Sequence, residues 1–174
     1  YDGKLYGVPK DVSTLQLVIN TDMWKQAGLT DADYPQTWDD LENVAAKLTT
    51  ADHVGLTMSG EFARIGVFME QAGGGLVSDD GTKAIADSEG SVAGLTEVQK
   101  MLKDDVAKFA DDLNAGWGGE AFGLGKAAMS IEGNWLTGSM KKDYPNINYK
   151  FIPLPEGPKG KKTLLFTNAW GIAA

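Results

Sequence analysis

Short apolar, β-branched runs alternate along this chain with segments whose apolar residues recur at helical spacing, and that alternation restricts the fold to an α/β layered architecture. Leu15 to Asn20 is an apolar run bounded by polar residues, as a buried strand requires. Asp22 to Ala27 then reads as a short helix, capped by Thr21 or Asp22 and ended by Gly28. After Pro35, Thr37 stands ahead of Asp40 and of the apolar series Trp38, Leu41, Val44, Ala45 and Leu48, which predicts a capped amphipathic helix. Phe62, Ile65, Phe68, Met69 and Ala72 repeat the helical spacing up to the glycines at 73–75. Ser88 is placed to cap a further helix that buries Val92, Leu95, Val98, Leu102, Val106 and Phe109. Ala128 to Ile131, Tyr149 to Leu154 and Leu164 to Thr167 are the remaining strand candidates, and Glu132 to Trp135 leads into a helix ending near Asp143.

Composition narrows what such a domain can do. With 174 residues, 43% of them hydrophobic, the chain suffices for one compact domain with a real core. A net charge of -8 repels phosphate backbones and anionic headgroups, so neither nucleic acid nor a membrane surface is the expected partner. Cysteine is absent, which removes disulfide frameworks, thiolate metal sites and cysteine nucleophiles. His53 is the only histidine, and its flanks read as a loop or surface position rather than a metal site. No apolar run approaches the ~20 residues needed to span a bilayer. The chain opens on Tyr1 and closes on the apolar stretch Trp170 to Ala174, so a piece of a longer protein is expected.

Nucleotide motifs fail on context. Gly116, Gly118 and Ala121, and then Gly123, Gly125 and Ala128, match a dinucleotide pattern loosely, but the first follows a charged helix end and the second leads into a strand. Both sets are read as loop and packing glycines. Gly125 and Lys126 resemble the end of a phosphate loop, yet Ala127 stands where magnesium needs a hydroxyl. A serine triad would have to rely on His53. Carboxylates at Asp11, Glu61 and Glu132 leave a glycosidase-type pair open as an alternative.

Local motifs then align with a known family. Gly3-Lys4-Leu5-Tyr6-Gly7-Val8-Pro9, Asp11-Val12-Ser13-Thr14 and the stretch from Leu17 to Gly28 are followed by Pro35-Gln36-Thr37-Trp38-Asp39-Asp40-Leu41 and Gln71-Ala72-Gly73-Gly74. Asp80-Gly81-Thr82-Lys83-Ala84, the stretch from Ala121 to Met129, Glu132-Gly133-Asn134-Trp135, Pro153-Leu154-Pro155, Gly157-Pro158 and Trp170-Gly171-Ile172 complete the series. Their order and spacing resemble the carbohydrate-binding proteins of ABC importers, of which maltodextrin-binding proteins are the best known. Ile19 stands where an aromatic is usual and Asn134 where a proline is usual; the latter bears on how Trp135 is presented.

The resemblance implies a periplasmic-binding-protein type II fold, of which this chain is one lobe, a layered sheet flanked by helices. Residues 1–14 would cross from the amino-terminal lobe, 15–167 form the carboxy-terminal lobe, and 168–174 return. It implies a non-catalytic receptor, outside the cytoplasm or lipid-anchored at the outer face of the membrane, that works as a monomer without cofactor or metal. Its partners would be a sugar and the permease subunits of an importer. The cleft residues it suggests are Trp135 as the stacking aromatic and Glu61, with Asp11, Arg64 and Asn168 as further candidates. Trp117 stands between cleft contact and loop anchor, and Trp170 is left equally open. A pyranose offers an apolar C–H face to an aromatic and hydroxyls to carboxylates and amides. Trp24 and Trp38 fall in helical apolar series and are expected in the core.

Overall fold

The computed structural model describes residues 3–172, so the outermost positions of the two expected crossing segments lie outside the described residues. Strand β1 (Val8–Asn20) is the organising element. Its second half, from Leu15 onward, lies antiparallel between β4 (Ala127–Gly133) and β5 (Tyr149–Ile152), with Leu17 opposite both Ile131 and Ile152. Beyond β4 the sheet continues in parallel through β2 (Val54–Met58) and β3 (Ala107–Phe109). The first half of β1 pairs instead with β6 (Leu165–Trp170), forming a two-stranded ribbon that stands largely exposed.

Helices cover both faces of the sheet. Leu15, Leu17 and Ile19 point into the larger core with α1 (Thr21–Gln26), α2 (Trp38–Leu48), α3 (Phe62–Gln71) and α4 (Glu89–Lys103). Val18, one residue out of phase, packs with Phe122 of α5 (Gly118–Gly123) and with Leu136 and Met140 of α6 (Leu136–Asp143) on the other face. Alternation along a strand therefore feeds two cores, and each fully buried Leu or Phe contributes about 1.5–3 kcal/mol. Trp24 and Trp38 are both core residues, as expected.

Several local expectations need correction. Asn20, not Thr21 or Asp22, caps α1: its Oδ1 accepts from the backbone of Asp22 and Met23 at 3.0 and 3.1 Å. The α2 cap is the expected one, with Thr37 and Asp40 capping reciprocally. Ser88 does cap α4, but that helix buries Ser91, Gly94, Val98 and Met101, while Val92 and Leu95 are exposed. The reason is the closeness of α3: a Cβ on Gly94 would lie 2.4 Å from the carbonyl carbon of Phe68, so only small residues fit along the contact. Val106 and Phe109 follow the helix, with Phe109 in β3. Phe62 is more exposed than its spacing implied and lies over Gly66. Gly118, Gly119 and Gly123 belong to α5 rather than to a loop; they are packing glycines, since a Cβ at Gly123 would meet the Tyr144 ring at 2.3 Å.

Candidate ligand-binding site

Parallel neighbours end at the same edge of a sheet, and β2 and β4 are such neighbours. Past its end, β2 turns through Ser59 to Glu61 into α3 and so delivers Glu61 and Arg64; β4 turns through Asn134 into α6 and delivers Trp135. Strand β1 enters the sheet at this edge, with Leu15 opposite Gly133, and its ribbon with β6 projects from it. Between ribbon and strand ends lies an open depression of about 560 Å³ that brings together Asp11, Arg64, Trp135 and Asn168.

A buried carboxylate organises its floor. Glu132 is fully buried, and its Oε2 accepts from Arg64 Nη2 at 2.7 Å and from Trp135 Nε1 at 2.8 Å. Arg64, itself only 9% exposed, also pairs through Nη1 with Glu61, and its guanidinium carbon lies over the Trp135 ring, 5.2 Å from the centroid. Burial raises the pKa of Glu132 above its ordinary value, against the opposing pull of Arg64 and of the Trp135 N–H. Glu132 Oε1 and Ser130 Oγ are buried and have no hydrogen-bond partner among the described residues.

The expected site residues divide. On the ribbon wall, Asn168 Nδ2 donates to Asp11 Oδ1 at 2.8 Å across a directly opposed pair. That bond, together with Lys10, holds the exposed Asp11 carboxyl below its ordinary pKa. Glu61 touches the site through Arg64 and is half exposed. Trp117 packs against the Phe122 and Leu136 core instead of lining the depression. Trp170, 67% exposed at the end of β6, also lies off it, with Lys10 Nζ 5.7 Å over its ring. Ser13, Phe166 and Thr167 line the depression and were not singled out from sequence, because their placement depends on a pairing across some 150 residues that no local pattern signals. Phe166 meets Trp135 edge to face.

A half-buried aromatic beside a carboxylate and an amide suits a neutral ligand that has hydroxyls and an apolar face. A second open depression, at the opposite edge around His53, Asp105 and Lys126, is lined mostly by residues of loops and turns, and His53 Nδ1 there contacts Thr50 Oγ1 at 3.1 Å. Among the described residues no cluster of three or more His, Asp or Glu could hold a metal ion, and no helix is long and apolar enough to cross a membrane.

Comparison with known proteins gives this geometry its context. The family model for bacterial extracellular solute-binding protein matches residues 1–174. The galactooligosaccharide-binding protein of Bacillus subtilis is 28% identical over 174 residues, which cover 95% of this chain and 40% of that protein. A maltooligosaccharide ABC transporter solute-binding lipoprotein of Streptococcus pneumoniae is 28% identical, with 98% of this chain and 41% of that protein covered. An ABC substrate-binding protein of Listeria monocytogenes, solved in complex with cycloalternan, superposes with a TM-score of 0.86 at 28% identity, over 99% of this chain and 44% of that one. The chain thus spans less than half the length of these relatives, and its helix-flanked sheet is one lobe of the type II periplasmic-binding-protein fold. It is a member of the bacterial extracellular solute-binding protein family.

Proposed function

We propose that the chain is the carboxy-terminal lobe of an extracytoplasmic receptor that binds a sugar or oligosaccharide between two lobes and delivers it to the permease subunits of an ABC importer. The observation that carries this reading is the convergence of Trp135, Arg64, Asp11 and Asn168 on one depression at the foot of the exposed ribbon. In this reading the crossing runs through the ribbon: residues 1–14 arrive from the other lobe, 168–174 return to it, and 15–167, including the first residues of β6, form the lobe. Closure about such a hinge would exclude water from the ligand and present a docking face to the permease. The protein acts as a monomer, in the periplasm or lipid-anchored at the outer face of the cell membrane, and relatives named as a galactooligosaccharide-binding protein and a maltooligosaccharide ABC transporter solute-binding lipoprotein support a carbohydrate ligand.

Within the site, Trp135 supplies the stacking surface, Asp11 and Asn168 the hydrogen bonds to hydroxyls, and Arg64 with Glu61 the charged rim. Trp117 and Trp170 contribute only if the second lobe brings the ligand to them. The receptor is non-catalytic. A glycosidase pair needs two carboxyl groups that reach the substrate; Glu132 is fully buried beneath Arg64 and Trp135, which leaves such a pair to Glu61, held by Arg64, and Asp11, held by Asn168. The test is isothermal titration of the intact protein against maltotetraose, a galactooligosaccharide and cycloalternan, alongside a chromogenic glycoside assay. Binding without turnover is expected; turnover that disappears in Glu61→Gln or in Glu132→Gln would reverse the assignment.

A further inference from the structure

Glu132 sits where the chain least favours a carboxylate, inside a fully buried strand between Ile131 and Gly133. Placing a charge there is costly unless it is paired and hydrogen-bonded, and among the described residues only one of its two oxygens, Oε2, finds partners. Its Oε2 binds the edge of Trp135 and the fork of Arg64 together. An indole presented to a ligand needs a defined tilt as well as a free surface. Trp135 is the residue before α6, two positions past the end of β4, and its side chain makes no capping hydrogen bond to that helix, so its tilt is left to the contacts of the ring. Phe166 braces one edge of the ring, the backbone at Gly133 approaches it and the Arg64 guanidinium lies over it, while the indole N–H is anchored by Glu132.

We propose that Glu132 is the positioning residue of this site: from beneath the floor, one carboxylate oxygen sets the orientation of the Trp135 ring and of the Arg64 guanidinium, and Glu132 itself never meets the ligand. This rests on the carbohydrate-receptor reading for its ligand arm only. Gly118 is part of the device. A Cβ at that position would stand 2.9 Å from Glu132 Oε1 and 3.0 Å from Ser130 Oγ, so the missing side chain leaves the carboxylate the room it occupies.

The experiment uses the intact protein and maltotetraose, or whichever of the three sugars binds most tightly. Glu132→Met removes the acceptor at nearly constant length. It is expected to weaken binding on the order of tenfold to a hundredfold, the scale on which misplacing a contact group acts. Glu132→Gln keeps an oxygen where Oε2 stands and is expected to restore most of the affinity, which a loss of charge alone would not allow. In a Trp135→Ala background the Glu132→Met effect should shrink to the part carried by Arg64, because the part transmitted through Trp135 is gone. Gly118→Ala presses on the carboxylate from behind and should weaken binding in the same direction; it also serves if Glu132→Met fails to fold. A ligand-free readout is the near-ultraviolet circular dichroism assigned to Trp135 by difference with Trp135→Phe, which should change in Glu132→Met and in Gly118→Ala. Wild-type affinity and an unchanged Trp135 signal in both variants would overturn the proposal. If the wild-type protein binds none of the sugars, the receptor reading fails separately, and the dichroism still decides whether Glu132 orients the ring.

Discussion

Trp135 meets Phe166 edge to face, with ring centroids 5.2 Å apart and planes at 84°, so the aromatic that lines the depression is braced against the ribbon. The contact joins the end of β4 to β6, two elements far apart in sequence. On the proposed reading, a ligand stacked on Trp135 would bear through Phe166 on β6, just ahead of the return crossing at 168–174.

Truncating that aromatic should cost binding more than folding. Trp135→Ala in the intact protein is expected to weaken sugar binding by roughly 2–4 kcal/mol, the range of an interface hot spot. Paired titration and denaturation curves check this. A loss of about 3–5 kcal/mol in folding with unchanged affinity would place Trp135 in the core instead.

Gln71 ties the Pro-, Gly- and Lys-rich loop to the core. Its Oε1 accepts from Trp38 Nε1 at 2.7 Å, and its Nε2 donates to the carbonyls of Pro155 and Lys162, each at 2.9 Å. Gln71→Leu fits the space but orphans these groups, so a loss of about 1–3 kcal/mol is expected from urea denaturation. Proteolysis should fall first within residues 155–162. An unchanged midpoint and an intact loop would show that the network is dispensable.

The tight crossing of α3 and α4 gives a third expectation. Gly94→Ala improves helix propensity, yet its methyl would fall 2.4 Å from backbone at Phe68. Destabilisation by about 1–3 kcal/mol or more is expected on thermal unfolding. Stabilisation would contradict the packing described.

Glu132 predicts a pH dependence of fixed sign. Burial raises its pKa in the folded chain, so at intermediate pH the folded state binds more protons than the unfolded one. The resulting cost to stability is absent below the unfolded-state pKa and complete above the folded one. Glu132→Gln is free of it, and exposed carboxylates such as Asp31 and Asp40, whose pKa values are lowered, cancel between variant and wild type. The unfolding free energy of Glu132→Gln minus that of wild type should therefore move in the variant's favour as the pH rises from about 4, near the ordinary pKa of a glutamate. A difference that stays constant or moves the other way refutes the direction.

The sequence patterns were most legible where structure is local. The Thr37–Asp40 capping box, the α2 stripe and the Trp24 and Trp38 positions need only near neighbours to be read. Strand β2 escaped because Val54–Met58 is buried on both faces and shows no alternation. Helix α5 escaped because four of the residues from Gly116 to Gly123 are glycine, and its helicity comes from packing against Trp117 and Tyr144 rather than from propensity. On α4, large apolar residues suggested the buried face, whereas close approach selected the small ones. In the site, Trp135, Arg64, Asp11 and Asn168 were named from sequence and share one depression. Glu132 was named only as one of three carboxylates open to a glycosidase-type pair, although an acid directly after the apolar run from Ala127 to Ile131 already signalled a buried charge in need of a partner.

The most direct test is isothermal titration of the intact protein with maltotetraose, a galactooligosaccharide and cycloalternan, set beside residues 1–174 alone. A two-lobed sugar receptor predicts saturable one-to-one binding of at least one of them, weaker by ~100-fold or more in the isolated lobe because one wall of the site and its exclusion of water are gone. Absence of heat with every sugar, or equal affinity for lobe and intact protein, would contradict it.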